Sequence, residues 1–168
     1  MDILKTATDW TKAETLSSVV FILFGLSFLL ASWGFWHWGK TDVAKAYVIP
    51  MLVAGGLLLI LGLGLFIPNQ ARLTSVPLAH STDASGFIAS EIARADKVLN
   101  DYRIAVFRVF PLIIALCALL IPVLTFAHWR ASLITTIAML AIILIVDTNA
   151  NARLEAYKAQ LSLAARSG

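Results

Sequence analysis

Four long stretches without a charged side chain constrain this sequence more than any other feature. No Asp, Glu, Lys or Arg lies between Glu14 and Lys40, between Lys45 and Arg72, or between Arg108 and Arg130, and 131–146 is a fourth such stretch. A bilayer core of about 30 Å needs about 20 apolar residues at about 1.5 Å each. Trimmed by polarity, the stretches predict four membrane-spanning helices, at 16–38, 46–67, 106–127 and 131–149, in a single membrane domain covering 1–168. Composition agrees: 60% of residues are hydrophobic and 14% are charged, against roughly 25% charged in an ordinary soluble domain. The same values exclude a disordered chain.

The first apolar run is longer than the core of a cleaved signal peptide and lacks a small-x-small cleavage pattern, so it is expected to remain as a span. No lipidation motif follows Met1 or ends the sequence. With four spans, both termini and the central segment share one side of the membrane. That side collects Lys5, Lys12, Arg72, Arg94, Lys97, Arg103, Arg108, Arg153, Lys158 and Arg166, whereas the other holds Lys40, Lys45 and Arg130. The positive-inside rule then predicts cytoplasmic termini. Trp33, Trp36, Trp38, Tyr47 and Trp129 fall at the outer ends of spans, the depth that amphipathic rings favour, and Trp10 falls near the inner surface. The compact chain and minimal outer loops, at about 39–45 and 128–130, point to a bacterial inner membrane.

Pro68-Asn69 signals the end of the second helix, with a loop over 70–82 and a new helix start at Ser81-Thr82-Asp83. Beyond it, Ile88, Ile92, Ala95, Leu99, Tyr102, Val106 and Val109 recur at alternating spacings of four and three, a heptad seam. Ala150, Leu154, Tyr157, Leu161 and Ala164 continue the same pattern past the fourth span. The expected fold is therefore an all-α integral membrane protein, with helices three and four extended, over about 84–105 and 150–165, into a cytoplasmic antiparallel hairpin stalk. Pro111 and Pro122 should kink the third helix. A turn centred on Trp129 would place Arg103 opposite Glu155, Asp101 opposite Tyr157 beside Lys158, and Asp147 one turn from Arg108. Ile92, Leu99, Tyr102, Leu154, Tyr157 and Leu161 form the expected interaction seam, which closes either on itself or on another subunit.

Asp147 is the foremost candidate for chemistry, because a carboxylate within a span is costly. With Asn149, Asn151 and Arg108 it forms a candidate polar or ion site; the alternative is an interfacial carboxylate paired with Arg108. Gly55 and Gly62 share a face of the second helix and permit close backbone approach, either within the monomer or between subunits. Ser18, Gly25 and Ser32 make a similar stripe on the first helix. His37 and His128 lie beside tryptophans near Asp42 but lack a third firm ligand, His80 has no partner motif, and Cys117 stands alone, so no metal site or cofactor is expected. Hydrolase, metalloprotease, phosphate-binding and dinucleotide-binding motifs are all absent, and the net charge of +3 with no basic run argues against nucleic acid.

In size and span number the sequence resembles the small membrane-embedded immunity proteins that protect bacteria from their own pore-forming toxins. That resemblance is one of architecture and no motif carries it. It implies a non-enzymatic protein that binds another membrane protein or a toxin through its helices. The competing expectation is a homo-oligomeric channel or small transporter, with Asp147 near the cytoplasmic mouth and Thr135 and Thr136 above it. The expected partners are membrane lipids and either further copies of the chain or another membrane protein.

Overall fold

In the computed structural model, which describes residues 3–167, every regular element is helical. The order is α1 (Ile3–Trp38), α2 (Asp42–Ala46), α3 (Val48–Thr82), α4 (Ala84–Asp101), a π-helical segment (Tyr102–Val109), α5 (Phe110–Leu120) and α6 (Ala127–Ser167). Four continuous helical stretches are long and apolar enough to cross a membrane: Ile3–Trp38, Asp42–Thr82, Ala84–Leu120 and Ala127–Arg166. The chain is thus a multi-pass helical bundle with a polar end, formed by the start of α1, the end of α3, α4 and the end of α6.

The helices run further than their apolar stretches. α1 begins at Ile3, well before residue 16, because Ile3, Ala7 and Trp10 repeat at four and three and are buried in a core with Val76, Phe87, Ala95, Leu154, Tyr157 and Leu161. α3 passes through Pro68 and Pro77 to Thr82, so 70–82 is helix and not the loop that Pro68-Asn69 signals. Each proline removes one backbone donor. Both face outward, while Asn69, Arg72 and Val76 lie on the inward side at helical spacing. The tertiary contacts of that inward face outweigh the local signal to stop. The expected start near Asp83 stands: its side chain accepts a hydrogen bond from the Gly86 backbone N–H at 2.9 Å and caps α4.

The third and fourth long helices are joined by 121–126, not by 128–130. Pro122 cannot continue the helix that ends at Leu120, and α6 already begins at Ala127. The hairpin turn therefore sits several residues earlier than Trp129, and the cross-helix register moves with it. Tyr157 meets Glu91, and Lys158 pairs with Asp96. The expected ion pairs of Arg103 with Glu155, of Asp101 with Lys158 and of Arg108 with Asp147 do not form; Arg103 and Glu155 do border one cleft.

Pro111 acts through the segment before it. It has no N–H for the Phe107 carbonyl, and Tyr102–Val109, ending two residues before it, widen into π-helix. The wider turns change which side faces inward. The seam holds through Val106, but Val109 is turned out, and Phe110, Ile113, Ile114 and Cys117 take the inward positions.

In the apolar half, α1 and α3 are zipped together by glycine. A Cβ added to Gly55 would meet the Gly25 carbonyl oxygen at 2.9 Å, one on Gly62 would meet the Ile22 nitrogen at 2.9 Å, and one on Gly25 would meet the Leu59 nitrogen at 2.9 Å. The Gly55 and Gly62 stripe is therefore used for close packing inside the chain. Phe21, Leu58, Leu140 and Ile143 fill the space between α1, α3 and α6.

Candidate functional site

The densest polar constellation lies in the polar end, around Glu91, which sequence reasoning did not single out, and Tyr157, which it placed in the seam. Glu91 is buried on α4, and its carboxylate accepts from three side chains. Nη2 of Arg72, from α3, lies 2.9 Å from both carboxylate oxygens. Arg94, one turn on, donates through Nη2 to Oε2 at 2.7 Å and through Nε to Oε1 at 3.3 Å. The Tyr157 hydroxyl, from α6, donates to Oε2 at 3.0 Å. α1 supplies Trp10, whose ring stacks on Tyr157 at 5.1 Å and 9° and lies under the Arg94 guanidinium at 4.6 Å and the Arg72 guanidinium at 5.7 Å. One carboxylate and one indole thus tie four helices together.

The electrostatics follow from that geometry. Burial pushes the Glu91 carboxyl up, but the hydrogen bonds and charges of Arg94 and Arg72 outweigh it and hold the group below the usual carboxylate range. Burial and the adjacent Glu91 push the Tyr157 hydroxyl up, so it stays a donor. Two arginines against one carboxylate leave the cluster with one net positive charge, partly exposed at Arg72 and Arg94. A second clasp binds α6 to α1: Arg153 donates to Glu14 at 3.1 Å and to the Ser17 hydroxyl at 2.7 Å. Between the two clasps lies a cavity of about 120 Å³, bordered by Trp10, Glu14, Asn69, Arg94 and Tyr102. The Trp10 Nε1–H is buried without a hydrogen-bond partner.

The sequence-predicted residues are dispersed around this junction. Asp147 is half-buried on α6, within electrostatic reach of Glu14 and Tyr102. Arg108 is exposed on the π segment, which carries it away from Asp147. Asn149 donates to the Ile145 carbonyl at 2.8 Å, and Asn151 donates to Glu155 at 3.1 Å, so both amides bond along their own helix. The four residues do not converge. The seam does: Leu154, Tyr157 and Leu161 are buried in the core of the polar end, and Ile92, Leu99 and Tyr102 pack against it. His37 stacks on Trp33 at 5.6 Å, His128 lies 5.5 Å from Trp129, and His80 meets the edge of Phe87. Among the described residues no group of three or more His, Cys, Asp or Glu side chains is placed to hold a metal ion.

A signal for the missed residues was present in the phase of the pattern. Ile3, Ala7, Trp10 and Glu14 run at four, three and four, as do Phe87, Glu91, Arg94 and Val98. Charged residues in an inward register predict buried ion pairs once the neighbouring helix is known.

Apolar side chains stay exposed along every long helix, among them Leu16, Leu23 and Leu30 of α1 and Ile49, Ile60 and Ile67 of α3, and burial is lowest along the third. The apolar stretch of Ala84–Leu120 has 11% of its residues buried, against 22% in each of the other three. Leu112, Leu116 and Leu119 of α5, at four and three, are 70%, 55% and 71% exposed. No family model matches this chain, and no curated protein or solved structure shows significant similarity to it.

Proposed function

We propose that this chain is a non-enzymatic inner-membrane protein of bacteria, of the immunity or accessory type, that works by helix-mediated binding to another membrane protein. Both termini and the charged junction lie in the cytoplasm in this reading, with helices three and four projecting there as a hairpin stalk. The excess of Lys and Arg at that end supports the orientation.

The observation that carries the reading is the contrast between the heptad seam of the polar end and the leucine line of α5. The polar-end seam is closed by the chain's own helices, whereas the Leu112-Leu116-Leu119 line has no partner within it. Helices associate in lipid through packing and hydrogen bonds, since burying apolar surface brings no gain over contact with acyl chains. A helix with a rigidly anchored base and an open side is suited to that kind of docking. The glycine zipper uses Gly25, Gly55 and Gly62 within the chain, so that stripe is not free to form a subunit interface.

The test is mass spectrometry of the intact complex, isolated from its native membrane in mild detergent through a C-terminal tag. A distinct bound protein, lost from the Leu112→Ala/Leu116→Ala/Leu119→Ala variant, is the expected result. A defined homo-oligomer alone would replace it with the channel reading, in which Asp147→Asn should change ion flux.

A further inference from the structure

A groove of about 260 Å³ runs between α1 and α6, bordered by Leu16, Ser17 and Val20 on one helix and by Ile145, Asn149 and Arg153 on the other. It shares no residue with the leucine line of α5 or with the Glu91 cluster. Its lining changes character along its length. The two helices run in opposite directions, with Ile3 and Leu161 in the core of the polar end and Phe21 and Ile143 in the apolar core. Val20 and Ile145 therefore line the apolar end of the groove, and Arg153 meets Glu14 and Ser17 at the polar end. Arg153 lies eight residues past Ile145, about 12 Å along the helix. A groove that is apolar at one end and polar at the other matches an amphiphile.

The sign of the polar end sets the class of amphiphile. Glu14 and Arg153 pair at 3.1 Å, but the two sit differently. The Glu14 side chain is 14% exposed and borders the internal cavity beside Trp10, whereas the Arg153 side chain is 36% exposed and borders the groove. Within the guanidinium, Nε is enclosed and Nη2 donates both bonds, to Glu14 and to Ser17. Nη1 is not enclosed and has no hydrogen-bond partner among the described residues. The ion pair thus turns its cationic member to the groove. Lys12, exposed one turn before Leu16, adds a second positive charge on the α1 flank.

Asn149, exposed one turn before Arg153, gives one amide N–H to the Ile145 carbonyl and keeps the other. Depth agrees with charge. Glu14 is the last charged residue before the apolar stretch of α1, and Asp147 is the first after that of α6, so Ser17, Asn149 and Arg153 lie where hydrocarbon gives way to headgroups. Guanidinium–phosphate hydrogen bonds are charge-assisted and among the strong ones, and basic pockets between spanning helices take lipid headgroups. We infer that the groove between α1 and α6 is a site for one anionic membrane phospholipid, whose phosphate meets Arg153 and Asn149 and whose acyl chain lies along Val20 and Ile145.

The test titrates the purified chain in detergent with phosphatidylglycerol, phosphatidylethanolamine and phosphatidylcholine of identical acyl chains, and counts retained lipid by native mass spectrometry. The expected result is one phosphatidylglycerol held at least fivefold more tightly than either zwitterionic lipid. Arg153→Gln should abolish that preference. Asn149→Asp sets a carboxylate one turn from Arg153 and should weaken phosphatidylglycerol at least fivefold. Ile145→Trp fills the apolar end from its exposed rim and should weaken retention of the lipid by a similar factor. The last two variants replace exposed residues, so they decide the matter if Arg153→Gln fails to fold. Equal retention of the three lipids would overturn the site and leave annular lipid only. So would wild-type retention by any of the folded variants, or a second copy of the chain bound in place of lipid. The assay contains no other protein, so its outcome is independent of any docking at α5.

Discussion

Glu91 shows how much one side chain can decide in a chain with few charges. Its carboxylate neutralises two arginines and fixes a tyrosine, and all of them are at least partly removed from water. Removing one member of such a cluster leaves uncompensated buried charge, at a cost of about 3–5 kcal/mol. Glu91→Gln is therefore expected to lower the thermal midpoint in detergent and to release Trp10 from its stack on Tyr157, read by tryptophan emission. The pH dependence has a definite sign. The folded carboxyl titrates below its reference value of 4.5, so its contribution is fully present above pH 4.5 and is lost as pH falls through the lower folded value. Acid should loosen the polar end in the wild type, and Glu91→Gln should lose the part of that sensitivity due to Glu91, leaving the part due to the Glu14–Arg153 and Asp96–Lys158 pairs. Glycine gives a second test at this scale. Gly62→Val drives a side chain into Ile22, and overpacking of this kind costs about 1–3 kcal/mol, whereas Gly56→Ala meets nothing within 4 Å and should leave the melting midpoint unchanged.

The helical elements divide according to how far local pattern governs them. The apolar stretches were readable because lipid demands about 20 apolar residues in a row, and the seams were readable because a heptad repeat spans several turns. The extension of α3 through Pro68 was not readable, since local breakers argue against it and only the contacts of Arg72 and Val76 with other helices sustain it. The hairpin turn was misplaced for a related reason: Trp129 and Arg130 look like an interfacial loop, yet Pro122 ends the helix first. The ion pair of Asp147 with Arg108 is absent for the same reason, because it depended on that register. Truncation after Ala152 removes Leu154, Tyr157 and Leu161 and so tests the closed seam. The shortened chain should still insert, while hydrogen exchange across Ala84–Asp101 rises sharply. Unchanged protection would mean that α4 is held by something other than α6.

At the scale of the molecule, the chain is clasped by ion pairs at one end and least buried along its third long helix. Two clasps, one at Glu91 and one joining Arg153 to Glu14, anchor α1, α3, α4 and α6 together. The glycine zipper carries that rigidity through the apolar half. α5 packs on the apolar core through Phe110, Ile113 and Ile114 and, after the π segment, leaves Leu112, Leu116 and Leu119 outward. In the proposed orientation, reporter fusions at either terminus should be active only in the cytoplasm, and a reporter placed in 121–126 only outside it. The most direct measurement of the central claim is a photo-crosslinking scan in the native membrane. A crosslinking amino acid is placed singly at Leu112, Leu116 and Leu119, and singly at Leu154, Tyr157 and Leu161. The account predicts adducts to another protein from the α5 positions and only intramolecular adducts from the α6 positions. Intermolecular adducts from Leu154, Tyr157 or Leu161, with none from α5, would contradict it.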